Sequence, residues 1–136
     1  TLFRSALYPD GSHSNWSGAR AYKEYMDLVK VILPKYNAKV IFSAVNKGLM
    51  IGRVSNLWDA TGIVWYPDFT SAIRLLTSPE YLEKSVHRAA GLEGEINILT
   101  LETDDLSSTS AGMVAGDDAL MLMEALPKLL EALPKL

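Results

Sequence analysis

The hydrophobic pattern predicts an α+β chain of order β-α-β-β-α-β, with an antiparallel sheet and a C-terminal amphipathic helical tail. Three observations carry it. In residues 17–36 the apolar side chains Tyr22, Tyr25, Met26, Val29, Ile32, Leu33 and Tyr36 recur at three- and four-residue steps, which puts them on one helical stripe. Residues 39–45 and 60–66 are β-branched and aromatic runs of strand length. Residues 58–92 then read as a strand ending at Pro67 and two helix starts in succession, Asp68-Phe69-Thr70 and Ser78-Pro79-Glu80. Strand, helix, two strands, helix pair and strand together make the ferredoxin-like pattern.

Each element follows from local chemistry. Residues 2–8 are short and apolar enough for a first strand, and Pro9-Asp10-Gly11-Ser12 is a turn. Ser17 suits the N-cap of the first helix, and Pro34 loosens its last turn. After the strand 39–45, Asn46-Lys47-Gly48 turns the chain into a return strand at 49–54. In the strand 60–66, Val64 and Tyr66 point to one face, Ile63 and Trp65 to the other. Asp68 caps a helix over 68–76. Ser78, Pro79 and Glu80 open the next helix with a capping hydroxyl, a ring suited to the first turn and an acid at the positive end. Gly91 fits a left-handed stop, with Leu92 folding back. The alternation in 95–102 makes it the closing strand.

These elements divide the chain into a domain over 1–103, a Ser-, Thr-, Asp- and Gly-rich linker over 104–116, and a tail over 117–136. The tail repeats Glu-Ala-Leu-Pro-Lys-Leu at a period of seven, with Leu122, Met123, Leu126, Leu129, Leu130, Leu133 and Leu136 as its apolar stripe. Pro127 and Pro134 each remove a helical bond. Its polar face balances Glu124 and Glu131 against Lys128 and Lys135, whereas a helix lying on a membrane surface is normally basic. Docking on the chain's own domain or on a partner subunit is the simpler expectation.

Composition narrows the function classes. Of 136 residues 49% are apolar, enough for a real core, and the net charge of -3 comes from interspersed charges. No basic block points to nucleic acid. The lack of cysteine removes disulfides, zinc–thiolate sites and a thiol nucleophile, and fits a reducing cytoplasm. No apolar run is long enough for a membrane span, and Thr1-Leu2-Phe3-Arg4 lacks the order of a signal peptide. Asn15-Trp16-Ser17 matches a glycosylation sequon, a pattern common by chance.

The chemistry-bearing residues are few. His87 lies one turn from a helix C-terminus and can serve as a general acid or base near neutral pH, or hydrogen-bond its surroundings. Arg88 follows it, about 100° round the helix. It can bind a carboxylate or pair with Asp59, Glu80 or Glu95. His13 reads as a solvated loop histidine, and two distant histidines do not make a metal or haem site. Tyr22, Tyr25, Trp58, Trp65 and Tyr66 can wall an apolar pocket between the sheet and the first helix, or be plain core; buried tyrosine hydroxyls need a partner such as an aspartate or arginine. No cofactor is called for. The expected site therefore has His87 and Arg88 as catalytic groups and those five aromatics as ligand walls.

Both faces of the central strands carry apolar side chains, so a sheet covered by helices on one face predicts a homodimer that buries the other. The run Trp58-Asp59, Val64, Tyr66-Pro67, Ser78-Pro79-Glu80-Tyr81 and His87-Arg88-Ala89-Ala90-Gly91-Leu92 resembles the DUF1330 family of dimeric α/β-barrel proteins. Arg4 and Tyr8-Pro9-Asp10-Gly11 look like that family's first strand end and its turn. The resemblance spans roughly residues 2–101 and leaves the Pro-Lys-Leu tail outside. It implies a dimer with a cavity for a small-molecule ligand and names no reaction. Against an enzyme or binder stands a second expectation, an interaction module that assembles through its tail.

Overall fold

Ser17 begins the first helix as its side chain allows: in extended conformation, it accepts the Arg20 amide. Helix α1 (Gly18–Ile32) follows, and its last turn tightens at Pro34 into a 3-10 segment, Leu33–Tyr36. Asn37 then takes the left-handed conformation that its short polar side chain tolerates, which releases the chain into strand β1 (Lys39–Val45). Strand β2 is Ala60–Trp65. Helices α2 (Phe69–Leu76) and α3 (Pro79–Gly91) are capped by Asp68 and Ser78 through the amides of Ser71 and Tyr81. Helix α4 is Asp117–Glu131. This computed structural model describes residues 4–100 and 117–131 of the chain. The expected linker 104–116, the start of the first strand, the end of the last and the close of the tail lie outside the described residues.

Among the described residues the architecture is α+β, with one two-stranded antiparallel sheet and four α-helices. Strands β1 and β2 pair from Lys39 opposite Trp65 to Val45 opposite Ala60, with an irregularity between Val40 and Phe42. The expected first strand is not in the sheet over its described part. The Ala6 amide donates to the Trp16 carbonyl at 2.9 Å, the Leu7 amide to Ala90 at 3.0 Å, and the Arg4 carbonyl accepts from Gly18 at 2.6 Å. Residues 4–8 are thus strapped across the start of α1 and the end of α3, with one isolated bridge between Ser5 and Ser17. The return strand expected at 49–54 is exposed and irregular, and residues 95–100 of the expected closing strand form neither helix nor strand.

The core lies between the helices. Helices α1 and α3 run antiparallel: Gly91 meets Gly18, Tyr81 meets Tyr25, and Lys35 beyond α1 bonds Glu80 at the start of α3. Tyr25, Val29, Ile32, Leu33, Ala38, Leu75 and Tyr81 make the main core, and Val40 and Tyr66 pack on it from the base of the hairpin. Above that base the hairpin is solvated on both faces: Phe42, Val45, Ile63, Val64 and Trp65 are all exposed. This corrects the expectation of a sheet with one helix-covered face.

Gly91 is also corrected. Its backbone is not left-handed; it is the last residue of α3 and sits where the two helices touch. A Cβ there would lie 2.7 Å from the Gly18 carbonyl oxygen and 2.8 Å from the Tyr22 nitrogen. In α4, Ala125 is buried and the Met121 sulfur lies 3.7 Å from the Thr70 hydroxyl of α2, while Leu120, Met123, Leu126 and Leu130 remain exposed. The helix runs through Pro127 to Glu131 rather than ending at the proline.

Candidate functional site

The helical turn of α3 separates its two candidate groups. His87 points to the N-terminal strap, and its Nδ1 lies 2.7 Å from the Tyr8 hydroxyl. A protonated phenol donates to the neutral ring nitrogen; the direction reverses when the ring is charged. Burial lowers the His87 pKa below its ordinary 6.5, with His13 and Lys84 adding to this and Glu24 opposing it. Burial raises the Tyr8 pKa, helped by Glu24 and Asp10. Both groups are therefore neutral near pH 7, which makes Tyr8 the donor and puts the ring proton on Nε2.

Aromatic rings surround this pair. Trp16 stacks near His87 at 6.4 Å between centroids and closely on His13 at 4.1 Å. Tyr8 meets His13, Trp16 and His87 edge-on. The Arg20 guanidinium covers the Trp16 ring at 4.2 Å. His13 is exposed, as a loop histidine should be, yet its backbone is left-handed (φ 50°) and its ring is stacked. A concavity of about 270 Å³ opens beside Trp16, lined by Arg4, Ser5, Ser14, Asn15 and Ser17. A larger, open one of about 700 Å³ lies around Val45, Asn46 and Met50 at the hairpin's far end and shares no residue with the His87 group.

Arg88 belongs to a second cluster. It is 8% exposed. One terminal nitrogen donates to the Tyr81 hydroxyl at 2.7 Å, and Nε is 3.4 Å from a Glu95 carboxylate oxygen. Of the three acids that could pair with it, Glu95 does; Glu80 bonds Lys35. The Tyr25 and Tyr81 hydroxyls are 2.9 Å apart, and the guanidinium lies over both rings. Burial raises the pKa of Tyr22, Tyr25, Tyr66 and Tyr81, that of Tyr66 to about 12. For Arg88 burial works against the charge, and Tyr81, Glu95 and Tyr25 outweigh it.

The five expected wall residues are thus divided. Tyr22 and Tyr25 lie by Arg88, and Tyr66 packs on the same core beside Tyr25. Trp65 lies on the exposed hairpin, with Lys39 above its ring, and Trp58 lies in the exposed loop before β2. Neither tryptophan joins the histidine or the arginine. Tyr8, Trp16 and Tyr81 are not among the site residues expected from the sequence, whereas Glu95 is one of the three acids expected for Arg88. Tyr81 had a usable signal, since it precedes Arg88 by two helical turns and shares its face. Tyr8 and His87, 79 residues apart, had none. Among the described residues no group of acids and histidines could hold a metal ion, and no helix is long and apolar enough to cross a membrane.

Two solved structures are similar to this chain. One is the RPA0582 protein of unknown function from Rhodopseudomonas palustris, 27% identical, with a TM-score of 0.56 over 65% of this chain and 65% of that one. The other is the methylated RPA0582 protein, 29% identical, with a TM-score of 0.56 over 63% of this chain and 62% of that one. The chain thus spans less than two thirds of either neighbour's length. No protein-family model matches the sequence, and no curated protein matches it.

Proposed function

We propose that this chain is a DUF1330-like homodimeric protein of the dimeric α/β-barrel, ferredoxin-like type. It binds or transforms a small, partly apolar molecule by cofactor-free acid–base chemistry at His87. The observation that carries the chemistry is the 2.7 Å contact between Tyr8 and His87 Nδ1. It fixes the ring and leaves the proton on Nε2, which has no hydrogen-bond partner among the described residues. Trp16 links this pair to the concavity of about 270 Å³, whose other lining residues, Arg4, Ser5, Ser14, Asn15 and Ser17, are polar. The dimer rests on the uncovered hairpin, where Phe42, Val45, Ile63, Val64, Trp65 and nearby Trp58 would be buried against a second copy.

A screen of small carbonyl and aromatic compounds tests the chemistry. His87→Ala should lower turnover of any hit by about 10²- to 10⁴-fold, the usual contribution of a general acid or base. Unchanged turnover would remove His87 from the reaction. A hit that binds without turnover would keep the binding role and discard the chemistry.

A second reading has its own support. Helix α4 presents Leu120, Met123, Leu126 and Leu130 to solvent on the side away from α2. Such a stripe suits a non-enzymatic module that assembles through its tail. A chain ending at Asp105 would then lose assembly.

A further inference from the structure

We propose that the loop between β1 and β2 is a docking tip that seats the protein on the surface of an anionic lipid bilayer. The proposal goes beyond the acid–base reading and does not depend on it. The foot of the loop is tied. The Asn46 amide donates to the Asp59 carbonyl at 2.9 Å, and the Asn46 side chain donates to the Trp58 carbonyl at 2.8 Å. Beyond that foot, Leu49, Met50 and Ile51 stand together between Gly48 and Gly52. Met50 is 96% exposed and Ile51 89%, the highest values of any large apolar side chain among the described residues. Val54 and Leu57 extend the apolar surface. A contiguous apolar patch in water marks contact with another apolar phase.

Charge says which phase. Residues 37–58 hold Lys39, Lys47 and Arg53 and no acid, in a chain whose net charge is -3. Asp59, the next acid, lies level with Asn46 at the foot of the loop. Lys47 and Arg53 flank the Leu49-Met50-Ile51 run on either side, and neither forms an ion pair among the described residues. An apolar tip with cations on both sides suits the bilayer interface: the tip enters the acyl chains and the cations meet the lipid phosphates. The same criterion spoke against the tail, where Glu124 and Glu131 balance Lys128 and Lys135. A protein partner would have to offer a shaped pocket for Met50 and Ile51, whereas a fluid acyl layer needs none. The homodimer proposed above would cover the strands and leave this tip free.

Vesicle flotation of the full chain is the test, with vesicles of phosphatidylcholine alone or of equal parts phosphatidylcholine and phosphatidylserine. The chain should bind the mixed vesicles at least about tenfold more tightly than the neutral ones, as two cations near an anionic surface provide. High salt should erase that difference. Lys47→Gln with Arg53→Gln should abolish the preference for phosphatidylserine. Met50→Ser with Ile51→Ser adds no charge and changes side chains already in water, so it should leave the melting temperature unchanged. The same pair should weaken binding to the mixed vesicles at least about tenfold, because it removes the surface that enters the acyl chains. No flotation with the mixed vesicles, equal flotation with both kinds, or flotation that the serine pair leaves unchanged would overturn the proposal. The readout needs no turnover, so either result leaves the His87 proposal standing or falling by its own test.

Discussion

His87 sits between two demands. Its ring is half-buried among Tyr8 and Trp16, which favours the neutral form, and it bonds a phenol that serves that form well. A histidine whose pKa is lower folded than unfolded binds fewer protons in the native state, so stability rises with pH through that window. Its contribution is intact above about 6.5 and is lost as pH falls through that value toward the depressed folded one. The carboxylates with lowered pKa values, Asp10, Asp27, Asp68 and Glu83, lose their contributions at lower pH, below about 4.5. Thermal melts should therefore show a first decline as pH falls below about 6.5 that His87→Gln flattens, and a second, at the lower pH where the carboxylates protonate, that it leaves in place. A first decline unaffected by His87→Gln would mean that the ring is not held neutral by its surroundings. Contacts at this scale were legible where they are local. Ser17, Asp68 and Ser78 bond amides three residues on, so sequence spacing alone names both partners. The partners of His87 and Arg88 come from other elements; for Arg88 sequence narrowed the choice to three acids, and for His87 it offered nothing.

Helices α1, α2 and α3 followed their periodicity because each carries its own signals, a capping side chain and an apolar stripe. The strands did not, because a strand needs a neighbour. Residues 95–100 alternate well enough, but residues 4–8, which would extend the sheet, place their amides on Trp16 and Ala90 instead. Gly91 was read correctly as special and wrongly as to cause. A left-handed stop and a close helix approach both select glycine, and only the path of α1 distinguishes them. The distinction has a measurable consequence. Gly91→Ala forces a methyl against two backbone groups of α1 at 2.7 and 2.8 Å and should destabilise by about 1–3 kcal/mol or more, the usual cost of overpacking. Gly48→Ala, with nothing within 4 Å and no positive φ, should change the melting temperature little. Equal effects at the two positions would mean that α1 and α3 do not meet at Gly91.

On the scale of the molecule the helical layer is self-sufficient and the hairpin is not. Tyr25, Leu75 and Tyr81 are buried, whereas the same chain leaves Phe42, Ile63, Val64 and Trp65 in water on two strands. Each such side chain would gain about 1.5–3 kcal/mol on full burial. Two strands with both faces wet are marginal alone, so the homodimer proposal supplies what the hairpin lacks. The need for a cover was legible in the apolar pattern of both strands; that neither face is covered by the chain's own helices was not, since it depends on where residues 4–8 and 95–100 travel. Sedimentation equilibrium at micromolar concentration tests this most directly, on the full chain, on a chain ending at Asp105, and on a variant with Phe42→Glu and Ile63→Lys. The first two should sediment at twice the mass of one chain and the third, still folded by circular dichroism, at the mass of one. A full chain that sediments as a single copy, or a dimer that survives the hairpin charges and falls apart without the tail, would contradict the homodimer built on the hairpin.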